Sequence, residues 1–278
     1  MSGSEPSRGF VVLIPVKILL TADLHFHLPW FNWLNAQAEN LDVVAVAGDM
    51  FDLGHQDGML PQLIYFFQWL QLFSRRPAYF VFCSGNHDVP AGTPLLPPGV
   101  KLPSDKLPIL RQLAAAPSWQ EAMRLTHRFL VDNDAKLLRC GSGEMLAVSC
   151  LPYSADGRLP LVQEQPSPWL VLHHEPPAGS SIAAPKNGNP EFAQFVRRYQ
   201  PDWTISGHVH QMPEEQNAFA ERIGRTLCFN CRQLLPGPNL PDQPNHIVID
   251  TQRKTATWRF WEKNEKREIE IDLATRSD

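Results

Sequence analysis

With 278 residues, 43% of them hydrophobic, the chain is long and apolar enough to bury one large core, which excludes a disordered polypeptide. A formal net charge of −4 supplies no global field for drawing in nucleic acid, although a local basic patch stays open. Five scattered cysteines, Cys83, Cys140, Cys150, Cys228 and Cys231, build no disulfide framework and read as structural thiols of a reducing, cytoplasmic compartment; the lone "CFNC" lacks the second pair that a zinc site needs.

In chain order, residues 1–9 have the composition of a disordered tail or expression remnant, and 10–278 read as one domain with a charged C-terminal end. The apolar run "GFVVLIPVKILLTA" is broken by Pro15 and Lys17, is too short to span a bilayer and precedes no small-residue cleavage site, so it predicts a buried strand and no membrane association. "PWFNWLNAQAEN" predicts a helix with proline in its first turn, "LDVVAVAGD" a strand apolar on both faces, and "MLPQLIYFFQWLQLFSRR" a helix whose arginines suit a C-terminal turn. "AYFVFCSGNHD" follows as a third buried strand, giving βαβαβ and a parallel sheet. A Pro-rich stretch over 92–108 then leads to a predicted helix at "SWQEAMRLTHRFL" and a hairpin turning at "GSGE". The strand "WLVLHH", the helix "PEFAQFVRRY", the strand "DWTISGHVH" and the late strands "TLCFN", "HIVIDT" and "TATWRFW" complete the pattern.

Polar clusters sit at the C-terminal ends of these strands: "TADLH", "GDMFD", "GNHD", "HHEPP" and "GHVH". In an open α/β sheet those ends gather along one ligand-binding edge. Asp23, His25, Asp49, Asn86, His208 and His210, with His173 or His174, are therefore expected to converge. Seven N and O ligands exceed one tetrahedral zinc and suit two divalent ions sharing a carboxylate. Glycines 48, 85 and 207 each precede a ligand, where a tight turn or close approach is needed.

The ordered set "DLH", "GD", "GNHD", a histidine before prolines and "GHVH" resembles the calcineurin-like metallophosphoesterases, over about residues 17–262. The resemblance implies a four-layer α/β/β/α sandwich with the metal site at the C-terminal strand ends, and hydrolysis of phosphate monoesters or diesters by a hydroxide shared between two ions roughly 3.5–4 Å apart. Carried over by position, Asp23, His25 and His210 correspond to ligands of one metal, Asn86, His174 and His208 to ligands of the other, and Asp49 to the bridge. His174 is preferred to His173 because the family's H-x-P-P form aligns with "HEPP" and successive strand residues face opposite ways. His87 matches the family's non-ligand histidine, a proton donor to the leaving oxygen, with Asp52 orienting it. Manganese suits the donors, with iron or zinc as alternatives.

Several features fall outside the motif. His27 and His55 are candidates for substrate contact, His127 reads as a surface residue, and Trp30, Phe31 and Trp33 read as packing or as an apolar cleft wall. The chain departs from its relatives around "CFNCRQLLPGPNLPDQP", where a longer Pro-rich loop replaces a simple turn. The expected partner is a small-molecule phosphate ester. Nucleic acid is the alternative, because "TQRKTATWRFWEKNEKR" mixes basic and aromatic residues, although Glu262, Glu265, Glu268 and Glu270 dilute the charge. A non-catalytic scaffold on the same fold is disfavoured by the complete ligand set.

Overall fold

The computed structural model describes residues 16–56, 58–88, 116, 118–124, 126, 128–141, 143–153, 168–185, 187–211 and 218–274. The N-terminal tail, the Pro-rich stretch and His127 lie outside the described residues.

One seven-stranded sheet has the order β13-β12-β11-β1-β2-β3-β4. Its strands are β1 (Lys17–Thr21), β2 (Val43–Ala47), β3 (Tyr79–Cys83), β4 (Phe129–Leu130), β11 (His246–Asp250), β12 (Thr255–Glu262) and β13 (Glu265–Asp272). A six-stranded sheet has the order β5-β6-β7-β8-β10-β9, from β5 (Ala135–Arg139), β6 (Met145–Cys150), β7 (Trp169–Leu172), β8 (Trp203–Ser206), β9 (Ala220–Ile223) and β10 (Thr226–Asn230). β1 to β4 are mutually parallel, as are β6, β7, β8 and β10; the flanking strands pair antiparallel.

Side-chain alternation explains why the central strands are apolar throughout. Ile18, Leu20, Val43, Ala45 and Val81 turn inward against Leu146, Val148, Leu170 and Ile205 of the other sheet. Their neighbours Leu19, Val44, Val46, Phe80 and Phe82 turn outward, under α1 (Leu28–Gln37), α2 (Met59–Phe73) and α3 (Trp119–Arg124). On the far side Trp169 and Val171 meet Phe192, Phe195 and Val196 of α4 (Pro190–Tyr199). The layers are thus α/β/β/α. Each fully buried large apolar side chain contributes about 1.5–3 kcal/mol. α4 starts sharply because Asn189 accepts from the Phe192 N–H at 2.8 Å and Pro190 needs no N–H partner.

Two expectations are corrected. α2 ends at Phe73, so Arg75 and Arg76 lie beyond it; Arg76 instead reaches Glu39 at 2.8 Å and Asn35 at 3.2 Å, beside α1. The helix expected over 118–130 stops at Arg124, because Phe129 and Leu130 extend the sheet beside Phe80 and Val81, where pairing with a free edge outweighs local propensity. The basic, aromatic C-terminal segment forms a hairpin, β12 with β13, in which Arg259 pairs with Glu268 at 2.7 Å and Arg267 with Glu265 at 2.9 Å. No helix among the described residues is long and apolar enough to cross a membrane.

Candidate metal centre

Five parallel strands deliver their C-terminal ends to one place. β1 leads to Asp23 and His25, β2 to Asp49, β3 to Asn86 and His87, β7 to His174, and β8 to His208 and His210. The chain turns abruptly at each exit. Asp23, His25, Asp49 and His208 all have left-handed φ, between 41° and 66°, a conformation that costs non-glycine residues about 1–3 kcal/mol each. Strain of this kind concentrates where surrounding structure dictates side-chain direction.

Two glycines explain how the ends come so close. A β-carbon on Gly48, itself at φ 85°, would collide with the His174 imidazole, and one on Gly207 would lie 2.5 Å from the Asp23 carboxylate.

Donor atoms cluster in three overlapping sets: Asp23, His25 and His210; His25, Asp49 and His87; Asp23, Asp49 and His174. Within each, the ligand atoms lie within 4.8 Å of one another. His174 Nδ1 is 2.8 Å from the Ala47 carbonyl, which only accepts, so that nitrogen carries a proton and Nε2 is the one turned toward the centre. Nε2 faces two further oxygens, Asn86 Oδ1 at 2.9 Å and Asp49 Oδ2 at 3.3 Å, and Asn86 Oδ1 also lies 2.9 Å from His208 Nδ1. His210 Nδ1 is 3.3 Å from the Leu234 carbonyl, and its ring stacks at 5.4 Å on His25, whose Nε2 is buried without a hydrogen-bond partner.

Lone pairs that face one another out of water need a positive charge among them. In the metal-free site protons supply it. Burial opposes protonation of His174, yet the Asp49 hydrogen bond and charge raise it to about 9; burial likewise opposes ionisation of Asp49, which His174 holds down at about 2. Burial lowers His25 and His208 below the ordinary histidine value, against the pull of the neighbouring carboxylates. A divalent cation satisfies the same oxygens and nitrogens, so the donor set fits the metals that the sequence implies.

His173 lies on the other side of β7, 2% exposed, its Nδ1 2.8 Å from the Glu175 carbonyl and its ring stacked 4.6 Å from Phe192. Burial lowers it to about 4. His87 is 39% exposed at its side chain, its backbone N–H donates to Asp49 at 2.7 Å, and its Nδ1 is 3.7 Å from Asp52 Oδ1, beyond a direct hydrogen bond. Phe31 is buried in packing, whereas Trp30, also buried, lines the cavity beside Asp23 and His25.

Sequence reasoning missed two residues. Asp88, the last residue of "GNHD", is buried and accepts four backbone N–H groups, from Gly85 and Asp49 through Oδ2 and from Met50 and Phe51 through Oδ1, at 2.7–3.0 Å. It locks the loop carrying Asp49 to the loop carrying Asn86. Burial and the Asp49 charge push its carboxyl up to about 8, against the pull of those donors. Tyr153, after β6, sets its ring 5.7 Å from His174 and 6.4 Å from His208. Its place just past a parallel strand was the available signal.

The calcineurin-like phosphoesterase family model matches residues 16–212. The chain belongs to this family. Among solved structures, TT1561 of Thermus thermophilus is similar at 12% identity and a TM-score of 0.52, over 94% of this chain and all of that one. The purple acid phosphatase PPD1 from yellow lupin seeds matches at 13% identity and a TM-score of 0.51, over 94% of this chain and 54% of its own. These likenesses show the sandwich fold. A comparison with curated proteins returned no match. A calcineurin-like phosphoesterase of this architecture uses a dinuclear metal centre, and the three donor sets are its candidates here.

Proposed function

We propose that this phosphoesterase hydrolyses a small-molecule phosphate monoester or diester, with Asp23, His25 and His210 holding one divalent ion, Asn86, His174 and His208 the other, and Asp49 bridging them. The observation that carries the reading is the convergence of three overlapping donor sets, Asp23 with His25 and His210, His25 with Asp49 and His87, and Asp23 with Asp49 and His174, each with ligand atoms within 4.8 Å of one another. Nitrogen and oxygen donors together suit manganese, with iron or zinc next. Two divalent ions held by these residues would supply neutralisation of the phosphate charge and hydroxide near neutral pH. His87, open to the cleft, donates a proton to the leaving oxygen, with the Asp52 carboxylate 3.7 Å from its Nδ1 as a nearby charge rather than a hydrogen-bonded anchor. Asp88 keeps Asp49 in place. Five buried free thiols support a reducing, cytoplasmic setting. The nuclease alternative loses support because the C-terminal arginines are engaged by glutamates of their own hairpin.

The test is metal analysis of the purified protein together with a panel of activated monoesters, diesters and single-stranded DNA, assayed with Mn²⁺ and after chelation. Chelator-sensitive hydrolysis of a small ester is expected. Absence of metal-stimulated hydrolysis across the small esters would sink the reading, and hydrolysis confined to DNA would replace it with the nuclease.

A further inference from the structure

Beside Asp23 and His25 lies a cavity of about 210 Å³ whose other walls are largely apolar: Phe26, Trp30, Leu234, Pro236 and Leu240. Asp23 and His25 place its inner end at the centre described above. We infer that this cavity receives the uncharged aromatic ring of a ring-bearing phosphate ester while the phosphate sits over the donor cluster; the inference rests on the phosphoesterase reading and names its substrate class.

Size, charge and rigidity support it. A cavity of roughly 150 Å³ holds benzene, so this one takes one ring or a small fused pair, and excludes a duplex or a folded protein surface. No lysine or arginine lines it among the described residues, so a second anionic group would find no counter-charge there. Its lining includes the rings of Phe26, Trp30 and His55, with Phe26 held edge-to-face against His55 at 5.6 Å and 85°.

One polar point is left open. His27 lines the cavity, and its Nε2 is buried without a hydrogen-bond partner, so a ring heteroatom or hydroxyl can meet it.

The wall is built in advance of any ligand. The loop 234–244 is closed at its base by Gln233 and Asn245: Asn245 N–H donates to Gln233 Oε1 at 3.0 Å, and Gln233 Nε2 donates to the Asn245 carbonyl at 3.3 Å. Trp30 ties the same loop to α1 by donating to the Pro241 carbonyl at 2.7 Å. A cavity held this way requires little ordering when a ring enters.

The test uses the full, Mn²⁺-loaded chain and two non-hydrolysable probes with one headgroup, phenylphosphonate and methylphosphonate, titrated calorimetrically. Phenylphosphonate is expected to bind about tenfold tighter or more. Leu240→Asp places a charge in the wall and should erase that preference without weakening methylphosphonate. His27→Ala should lower phenylphosphonate affinity severalfold. It removes no helix cap, since the His27 side chain makes no capping bond, so it serves if Leu240→Asp does not fold. Equal affinities for the two probes, or a preference untouched by both variants, overturns the inference. Ester hydrolysis without ring preference would remove this inference and leave the phosphoesterase reading standing; ring binding without hydrolysis would do the reverse.

Discussion

The imidazole of His174 occupies the volume that a β-carbon on Gly48 would need, and it is pinned there by the neighbouring Ala47 carbonyl at 2.8 Å. Gly48→Ala must therefore move the ring and also hold φ near 85° with a side chain present. We expect a stability loss of about 2–4 kcal/mol in urea denaturation and fewer than two metal ions per chain. A variant with unchanged midpoint and full metal content would show that the crowding is relieved at no expense.

The two adjacent histidines should separate cleanly. His174→Ala removes a nitrogen from the donor cluster and should lose one metal equivalent and most activity. His173→Ala removes a ring stacked on Phe192 and should lower stability by about 1–3 kcal/mol while keeping two ions. Parallel metal stoichiometry and turnover decide it; a one-metal, inactive His173→Ala beside a two-metal, active His174→Ala reverses the assignment.

His87 shares a donor set with His25 and Asp49, so its role needs its own experiment. As proton donor, His87→Asn should retain both ions and lower turnover by ~10²–10⁴-fold, most for esters with poor leaving groups. Loss of a metal equivalent would make it a ligand.

Asp88→Asn keeps the shape but turns an amide NH₂ toward N–H donors that now meet an Asp88 oxygen. At least one buried pair then faces donor to donor, so stability should fall by about 2–4 kcal/mol and metal affinity with it. Chemical denaturation of the metal-free protein and competition with a chelator would measure the two effects. A near-neutral result on both would mean that Asp88 does not organise the Asp49 turn.

His246 gives a pH dependence away from the centre. Burial lowers it to about 4 in the folded chain, with its ring 4.5 Å from Trp33, against about 6.5 unfolded. Between those values the unfolded chain binds a proton that the folded chain refuses, so this residue's contribution to stability falls as pH falls. From pH 7 to 5 the loss from His246 is about 2 kcal/mol. Because Asp88 acts in the opposite sense, the measurement is the difference between the wild type and His246→Gln in urea midpoints at the two pH values. Equal pH slopes would refute the assignment.

Much of this was legible in the sequence because the physics is local. Strands buried on both faces announce themselves as continuous apolar runs, and ionisable residues immediately after such runs have few explanations other than a site. Whatever depended on distant partners was hidden. β13 reads as a solvated charged tail until β12 pairs with it; its turn at Lys263 and Asn264, with φ of 49° and 63°, lacks the usual glycine signal. β4 is two residues that become a strand only because β3 has a free edge. Asp88 lies within the quoted "GNHD", yet its work is to bind N–H groups 37–39 residues earlier in the chain, which no local pattern encodes.

The donors do not belong to one sheet. Asp23, His25, Asp49 and Asn86 leave the seven-stranded sheet, whereas His174, His208 and His210 leave the six-stranded one, and the His208 N–H donates across the gap to Asp23 at 3.0 Å. The cluster is therefore a clasp whose two halves are carried by separate walls, with the apolar interior as its hinge pin. A change in thickness of that interior, at Ile205 or Leu172 for instance, shifts one set of donors relative to the other. Metal affinity in this molecule is consequently a gauge of inter-sheet spacing, sensitive to substitutions that touch no ligand. Ions bound across the gap would in turn resist separation of the walls.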